Sequence, residues 1–145
     1  RCKFLLEIAK EIRKIWPKDK ILGARVTGSD WMKEGVSISD CIYLCKNLKK
    51  IGFNYVCVSS AGIVPKTNIK FKKGYQVHLA KKIKEKVGIK VKTTGNIVDI
   101  NHAEKIIKSG KADLVSFGRK FINSPNWLIK ELLRYKKKNK FTKSI

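Results

Sequence analysis

The sequence predicts an α/β chain built on a parallel sheet, with one helix followed by four strand-helix units, and three observations carry this expectation. Short apolar runs begin near residues 21, 55, 89 and 114, at spacings close to those of βα units. Each run is continuous, as in strands covered on both faces. Between the runs lie amphipathic stretches of helical period, several of them closed by glycine.

The elements follow in order. Residues 3–15 place Phe4, Leu5, Ile8, Ile12 and Ile15 at helical spacing, and Pro17 stops the run. After a turn, Ile21-Leu-Gly-Ala-Arg-Val26 reads as a buried strand that ends in the loop Thr27-Gly-Ser-Asp30. Ser39 and Asp40 are suited to cap a helix that carries Ile42, Leu44, Cys45 and Leu48 and stops at Gly52. Tyr55–Val58 is the second strand, and Ser59-Ser-Ala-Gly62 is its polar exit loop. The stretch Ile63–Gly74 has no clear period and reads as a long surface loop, a kind of segment that is often functional. A helix from about Tyr75 to Lys86, closed by Gly88, leads to the third strand, Ile89–Thr93. A helix from Asp99 to Ser109 precedes the fourth strand, Leu114–Phe117, and a last helix runs from Pro125 to about Tyr135. Residues 1–136 form the predicted folded unit and 137–145 a basic tail.

Two architectures suit this order, an open doubly wound sheet and half of an eight-stranded (βα) TIM barrel. The glycines after the first strand, Gly23, Gly28 and Gly35, lack the spacing of a dinucleotide-binding turn. In a barrel, function sits at the C-terminal strand ends, with phosphate held by the loops after the last two strands. Here those loops carry Thr94-Gly95 and Gly118-Arg119. The barrel half is the better fit.

A net charge of +23 points at first to nucleic acid or a membrane surface. The surplus consists of 29 Lys against 5 Arg spread along the whole chain, however, and it reads as a solvated surface. Cys2, Cys41, Cys45 and Cys57 form no Cys-x-x-Cys pair and read as core thiols of a reducing, cytoplasmic compartment, with zinc not expected. No apolar stretch reaches the roughly 20 residues of a membrane span. With Arg1 in place of an initiator Met, the sequence reads as a fragment or a processed piece.

The candidate site residues lie at successive strand ends. Arg25 sits inside an apolar strand and needs an anion, an electron-rich ring, or a carboxylate such as Asp30 or Glu34. Gly118 lets the backbone approach an anion, Arg119 adds a fork of donors, and the helix that follows turns free N–H groups toward the same place. Gly95 repeats the pattern one unit earlier. His78 and His102 read as outer-helix surface residues, and Trp16, Trp31 and Trp127 as packing residues. No catalytic triad or paired-carboxylate set stands out. The residues alone lead to a barrel half that binds a phosphorylated, nucleotide-type cofactor.

Arg25-Val-Thr-Gly-Ser-Asp-Trp, Val58-Ser-Ser-Ala-Gly-Ile-Val-Pro, Gly74-Tyr-Gln-Val, Thr94-Gly-Asn-Ile and Ala112-Asp-Leu-Val-Ser-Phe-Gly-Arg also resemble, in order, the C-terminal half of the old yellow enzyme family, in its bacterial NADPH dehydrogenase and xenobiotic reductase branch. The resemblance implies an FMN-dependent oxidoreductase: NAD(P)H reduces the flavin, which passes hydride to the alkene carbon of an α,β-unsaturated carbonyl substrate. It implies that Arg25 lies against the flavin ring and that Gly118 and Arg119 hold the phosphate, with Gly95 and the Ser60–Gly62 loop, Ser60 and Gly62 included, shaping that end. The family's N-terminal half, with its substrate-orienting His pair and Tyr acid, has no counterpart here, so no catalytic residue is expected in this stretch. The expected partners are the missing barrel half or a second copy. A basic nucleic-acid or anionic-surface module, or an inactive remnant, are the alternatives.

Overall fold

The computed structural model describes residues 2–60 and 69–134. Their elements run in the order α1 (Lys3–Ile15), β1 (Gly23–Thr27), α2 (Ile38–Ile51), β2 (Tyr55–Ser59), α3 (Val77–Val87), β3 (Lys90–Thr93), α4 (Ile100–Lys108), β4 (Leu114–Val115), α5 (Arg119–Asn123) and α6 (Trp127–Arg134). The strands pair in parallel in the order β1-β2-β3-β4. Each crossover therefore steps in the same direction, as barrel staves do, whereas a doubly wound sheet reverses its order part-way.

Side chains alternate across a strand, and the two faces of this sheet differ. Val26, Val56, Val58, Val91 and Thr93 are all buried. The four valines pack with Cys41, Cys45 and Leu48 of α2 and with Leu79, Ala80 and Ile83 of α3. The alternate row, Arg25, Cys57, Lys92 and Leu114 in register, turns the other way, and Arg25 and Leu114 are exposed there. Two covered faces were expected; the described residues cover one. Cys57 and Leu114 made the runs look continuous because the open row also carries apolar side chains. A second, smaller core of Val77, Ile97, Ala103, Ile106 and Ala112 lies beside Val115 and Phe117, under the exits of β3 and β4.

The caps show how local chemistry sets the boundaries. α2 starts two to three residues earlier than Ser39 and Asp40 suggest: Ser37 is the N-cap, its Oγ accepting from the Asp40 N–H at 3.2 Å while the Ser37 N–H donates to Asp40 Oδ2 at 2.9 Å. Asp40 is thus the far half of a capping box. Ser37→Ala removes the acceptor and is expected to cost about 1 kcal/mol, read as a lower urea midpoint at unchanged m-value. α2 ends at Gly52 in the left-handed region, φ 103°, as expected of a glycine cap. β4 is two residues long in place of the predicted four, and α5 is a helix the periodicity did not reveal, because five residues hold no full amphipathic repeat. Trp16 is half-exposed and not a packing residue; its indole N–H donates to the Ile21 carbonyl at 3.3 Å. Among the described residues no helix is long and apolar enough to cross a membrane.

Candidate functional site

The C-terminal ends of β1 to β4 open into one cleft of about 980 Å³. Five of the six predicted site residues, Arg25, Ser60, Gly95, Gly118 and Arg119, line it; the sixth, Gly62, lies outside the described residues, as does the 63–68 part of the predicted long loop. One wall carries Phe71 and Tyr75, set edge to face at 5.3 Å, and another carries Phe117 and Trp127 at 4.7 Å. Arg25, Arg119 and Lys120 contribute positive charge, and among the described residues no carboxylate lines the cleft. An anion with a flat apolar portion suits such a cleft.

Each predicted residue is placed by its strand. Arg25 projects from the open face of β1, and its Nη2 donates to Ser59 Oγ of β2 at 3.0 Å. Asp30, weighed above as its partner, turns Oδ2 to the Val36 N–H at 2.7 Å instead. Ser60 follows directly and is only 6% exposed, yet its hydroxyl has no hydrogen-bond partner among the described residues. Gly95 has φ 102°, a conformation L side chains rarely adopt, and a Cβ there would stand 2.9 Å from Gln76 Cγ. Gly118 is different. Its φ of −94° suits any residue, and a Cβ built on it meets nothing within 4 Å. The protein itself leaves that space free, as a glycine does where a ligand comes close.

Gln76 is the site residue that sequence reading missed. It is 2% exposed, its Nε2 donates to the Ser60 carbonyl at 2.9 Å and to the Tyr75 hydroxyl at 2.6 Å, and its Oε1 has no partner among the described residues. A signal was available. Gln76 precedes Leu79, Ala80 and Ile83 at i, i+3, i+4 and i+7, so helical phase puts an amide on the buried stripe, where it needs partners. His78 is exposed and meets the edge of Trp31 at 5.7 Å, and His102 is half-buried on α4; neither lines the cleft. Cys41 and Cys45 are buried with sulfurs 3.9 Å apart, and the hydrogen bond that the Cys45 thiol shares with Cys41 together with burial pushes Cys45 up and keeps it protonated. Among the described residues no three His, Cys, Asp or Glu side chains converge on a metal site.

Residues 1–137 match the NADH:flavin oxidoreductase / NADH oxidase family. The chain belongs to this family. Within it, the chain is 36% identical over 125 residues to an NADPH dehydrogenase of Bacillus subtilis (strain 168), an alignment that covers 86% of this chain and 36% of that protein. It is 35% identical over 127 residues to an NADPH dehydrogenase of Geobacillus sp. (strain WCH70), covering 88% of this chain and 36% of that one. This family member thus spans a little over a third of the length of the curated relatives it matches. Among solved structures, a 2-naphthoyl-CoA reductase in complex with 2-naphthoyl-CoA superposes with a TM-score of 0.81 at 23% identity, over 92% of this chain and 21% of that one. A morphinone reductase in complex with tetrahydroNAD superposes with a TM-score of 0.59 at 19% identity, over 83% and 31%. These likenesses establish the fold: four consecutive staves of a (βα) barrel of the flavin oxidoreductase kind.

Proposed function

We propose that this chain supplies the phosphate-holding and ring-facing side of an FMN site in an NAD(P)H-dependent oxidoreductase that reduces α,β-unsaturated carbonyl compounds. The observation that carries the reading is the convergence of Arg25, Ser60, Gly95, Gly118 and Arg119 on one cleft without a carboxylate, in a chain of a flavin oxidoreductase family. The residues fit the group. The free space at Gly118 admits a phosphate close to the backbone, and the exposed Arg119 guanidinium beside it matches phosphate oxygens in pairs. Arg25, fixed by Ser59 on the open sheet face, places a permanent cation where a reduced flavin carries negative charge. Bound FMN would supply the hydride chemistry, taking a hydride from NAD(P)H and delivering it to the substrate alkene.

What the chain's own residues do is bind and orient. The β2 and β3 exits are tied together through Gln76, and the Gly74 N–H donates to the Asn96 carbonyl at 3.2 Å, so the Gly95 loop is held from two sides. The four-strand sheet of the described residues leaves an edge at β1 and another at β4, and further strands that pair with both and close a barrel would also cover the row from Arg25 to Leu114. That cover would complete the barrel and bring the substrate-orienting groups. Cytoplasmic residence suits the buried free thiols Cys41 and Cys45. The basic-module alternative has less in its favour: Lys14, Lys81 and Lys108 are on helix surfaces in ion pairs with Glu11, Glu85 and Glu104, as solvated surface charges are.

The test expresses the complete reading frame that encodes this chain, with and without Arg119→Ala. The wild-type product should be yellow and oxidise NADPH in a flavin-dependent way. Arg119→Ala should raise the FMN Kd by about tenfold or more, equivalent to about 1.4 kcal/mol, with the folding midpoint unchanged because the side chain is exposed. A colourless product without flavin-dependent NADPH oxidation would end the reading.

A further inference from the structure

We propose that the open face of the sheet receives a barrel half of different sequence, one that sets a carboxylate against Lys92; the inference rests on the reading above of this chain as part of a flavin oxidoreductase barrel. Three cations stand on that face. Arg25 is held by Ser59 and faces the proposed flavin ring, and Lys90 pairs with Asp113 at 3.4 Å. Lys92 is half-buried in the row of Arg25, Cys57 and Leu114. Its Nζ stands 5.5 Å from the centroid of the Tyr55 ring, and among the described residues it has neither a hydrogen bond nor a carboxylate partner.

Two hollows flank Lys92. One, of about 300 Å³, is bounded by Arg25, Cys57, Thr94 and Ser116, and the other, of about 630 Å³, by Ile21, Asn54, Tyr55, Lys90 and Leu114. Among the described residues no carboxylate lines either one. Ile21 is 74% exposed and Leu114 49%, so apolar side chains border the cations, as on a surface that meets another piece of protein. Covering this face takes the Lys92 ammonium out of water. The Tyr55 ring compensates part of that loss, but a buried ammonium without a negative partner is strongly disfavoured. The cover must therefore bring an Asp or Glu, and the hollows leave room for its side chain to reach Nζ.

The same charges argue against a second copy of this chain as the cover. Two copies would satisfy the strand count, with β1 of each against β4 of the other. They would also set Arg25, Lys90 and Lys92 of one copy opposite the same three of the other, cations facing cations in a closed interior. A further part of the same reading frame meets both requirements. The NADPH dehydrogenases that this chain matches are covered over only 36% of their length, which leaves length in them for a barrel half of another sequence.

The experiment uses the product of the complete reading frame and compares the wild type with Lys92→Met, which keeps the stem and removes the charge, and with Lys92→Arg, which keeps the charge. Lys92→Met strands the incoming carboxylate and should lower the folding equilibrium constant by about a hundredfold or more, read from urea midpoints at unchanged m-value. Lys92→Arg should retain most of the stability, since the hollows admit the larger head. A Lys92→Met protein as stable as the wild type, or more so, would show a cover without a carboxylate and overturn the inference. Loss of fold in both variants would make the shape of the stem the requirement and overturn it too, whereas loss of fold in Lys92→Met alone is the expected effect carried further. The native mass of the wild type should correspond to a barrel closed within one polypeptide; a barrel closed by two copies of the 145-residue chain would overturn the inference. A folded wild type that binds no FMN fails the underlying flavin reading and leaves the Lys92 comparison standing, because that comparison reads stability and not flavin.

Discussion

Asp113→Ala is expected to lower the stability of the fold by about 2–3 kcal/mol, the cost of leaving a buried donor and a cation without their charged partner. Asp113 stands at the entrance of β4 and joins three elements. Its Oδ2 accepts from the Val91 N–H of β3 at 2.9 Å, its Oδ1 pairs with Lys84 of α3 at 3.1 Å and with Lys90 at 3.4 Å, and its own N–H donates to the Val91 carbonyl at 2.8 Å. The Asp113–Lys84 pair is largely sheltered, with 18% and 29% of the side chains exposed, while Lys90 at 74% adds little. β4 is two residues long, and its own ladder is too short to hold it. The carboxylate does part of that holding.

The same residue gives the stability a pH dependence with a definite sign. Burial works to raise the Asp113 carboxyl, and the Val91 N–H with Lys84 and then Lys90 outweighs it, so the group titrates below its ordinary value. A carboxylate with a depressed folded-state pKa stabilises the fold above its unfolded value of about 4, and that contribution is lost as pH falls through the lower folded value. Urea midpoints followed from about pH 7 down to about pH 3 should fall more steeply for the wild type than for Asp113→Asn. The variant should start lower at neutral pH and converge on the wild type in acid. Parallel curves would show that Asp113 carries no linked proton and would remove it as the β3–β4 tie.

The order of the elements could be read because it rests on periodicity and on glycine stops at Gly52 and Gly88, both local properties of the chain. The strand ends that carry the cleft could be read for the same reason, since loops after apolar runs face one rim of a parallel sheet. Other features depend on tertiary placement. Asp113 lay in a recognisable motif, yet nothing in Ala112-Asp-Leu-Val tells that its carboxylate caps a β3 N–H twenty-two residues away. Arg25 needed a partner, and the sequence left an anion, an electron-rich ring and a carboxylate open; the sheet register brought Ser59 beside it, because Thr27 pairs with Ser59 and sets Arg25 one step below it on the same face. Gln76 was hidden by its position at the helix start, where an amide passes for an ordinary solvated residue. Its phase with Leu79, Ala80 and Ile83 was the one sign that it is buried, and its 2% exposure bears that sign out.

Gly118→Ala and Gly95→Ala, chemically the same change on neighbouring loops, are expected to fail in opposite ways. At Gly95 the backbone has φ 102°, and the new methyl would press on the Gln76 side chain at 2.9–3.0 Å. Backbone strain of about 1–3 kcal/mol is expected, so the urea midpoint should drop, and flavin binding should weaken with it as Gln76 shifts. At Gly118 the φ of −94° is open to alanine and the methyl meets nothing within 4 Å. Stability should therefore stay within about 0.5 kcal/mol of the wild type, while the methyl occupies the space through which phosphate would reach the backbone, raising the FMN Kd by about tenfold or more. The two readouts, midpoint and Kd, separate a glycine required by the fold from a glycine required by the ligand. A Gly118→Ala protein that binds FMN as tightly as the wild type would show that the open space at β4 is not where the phosphate sits, and the anion site would then have to be sought on the Gly95 side, where Asn96 and Thr94 line the same cleft.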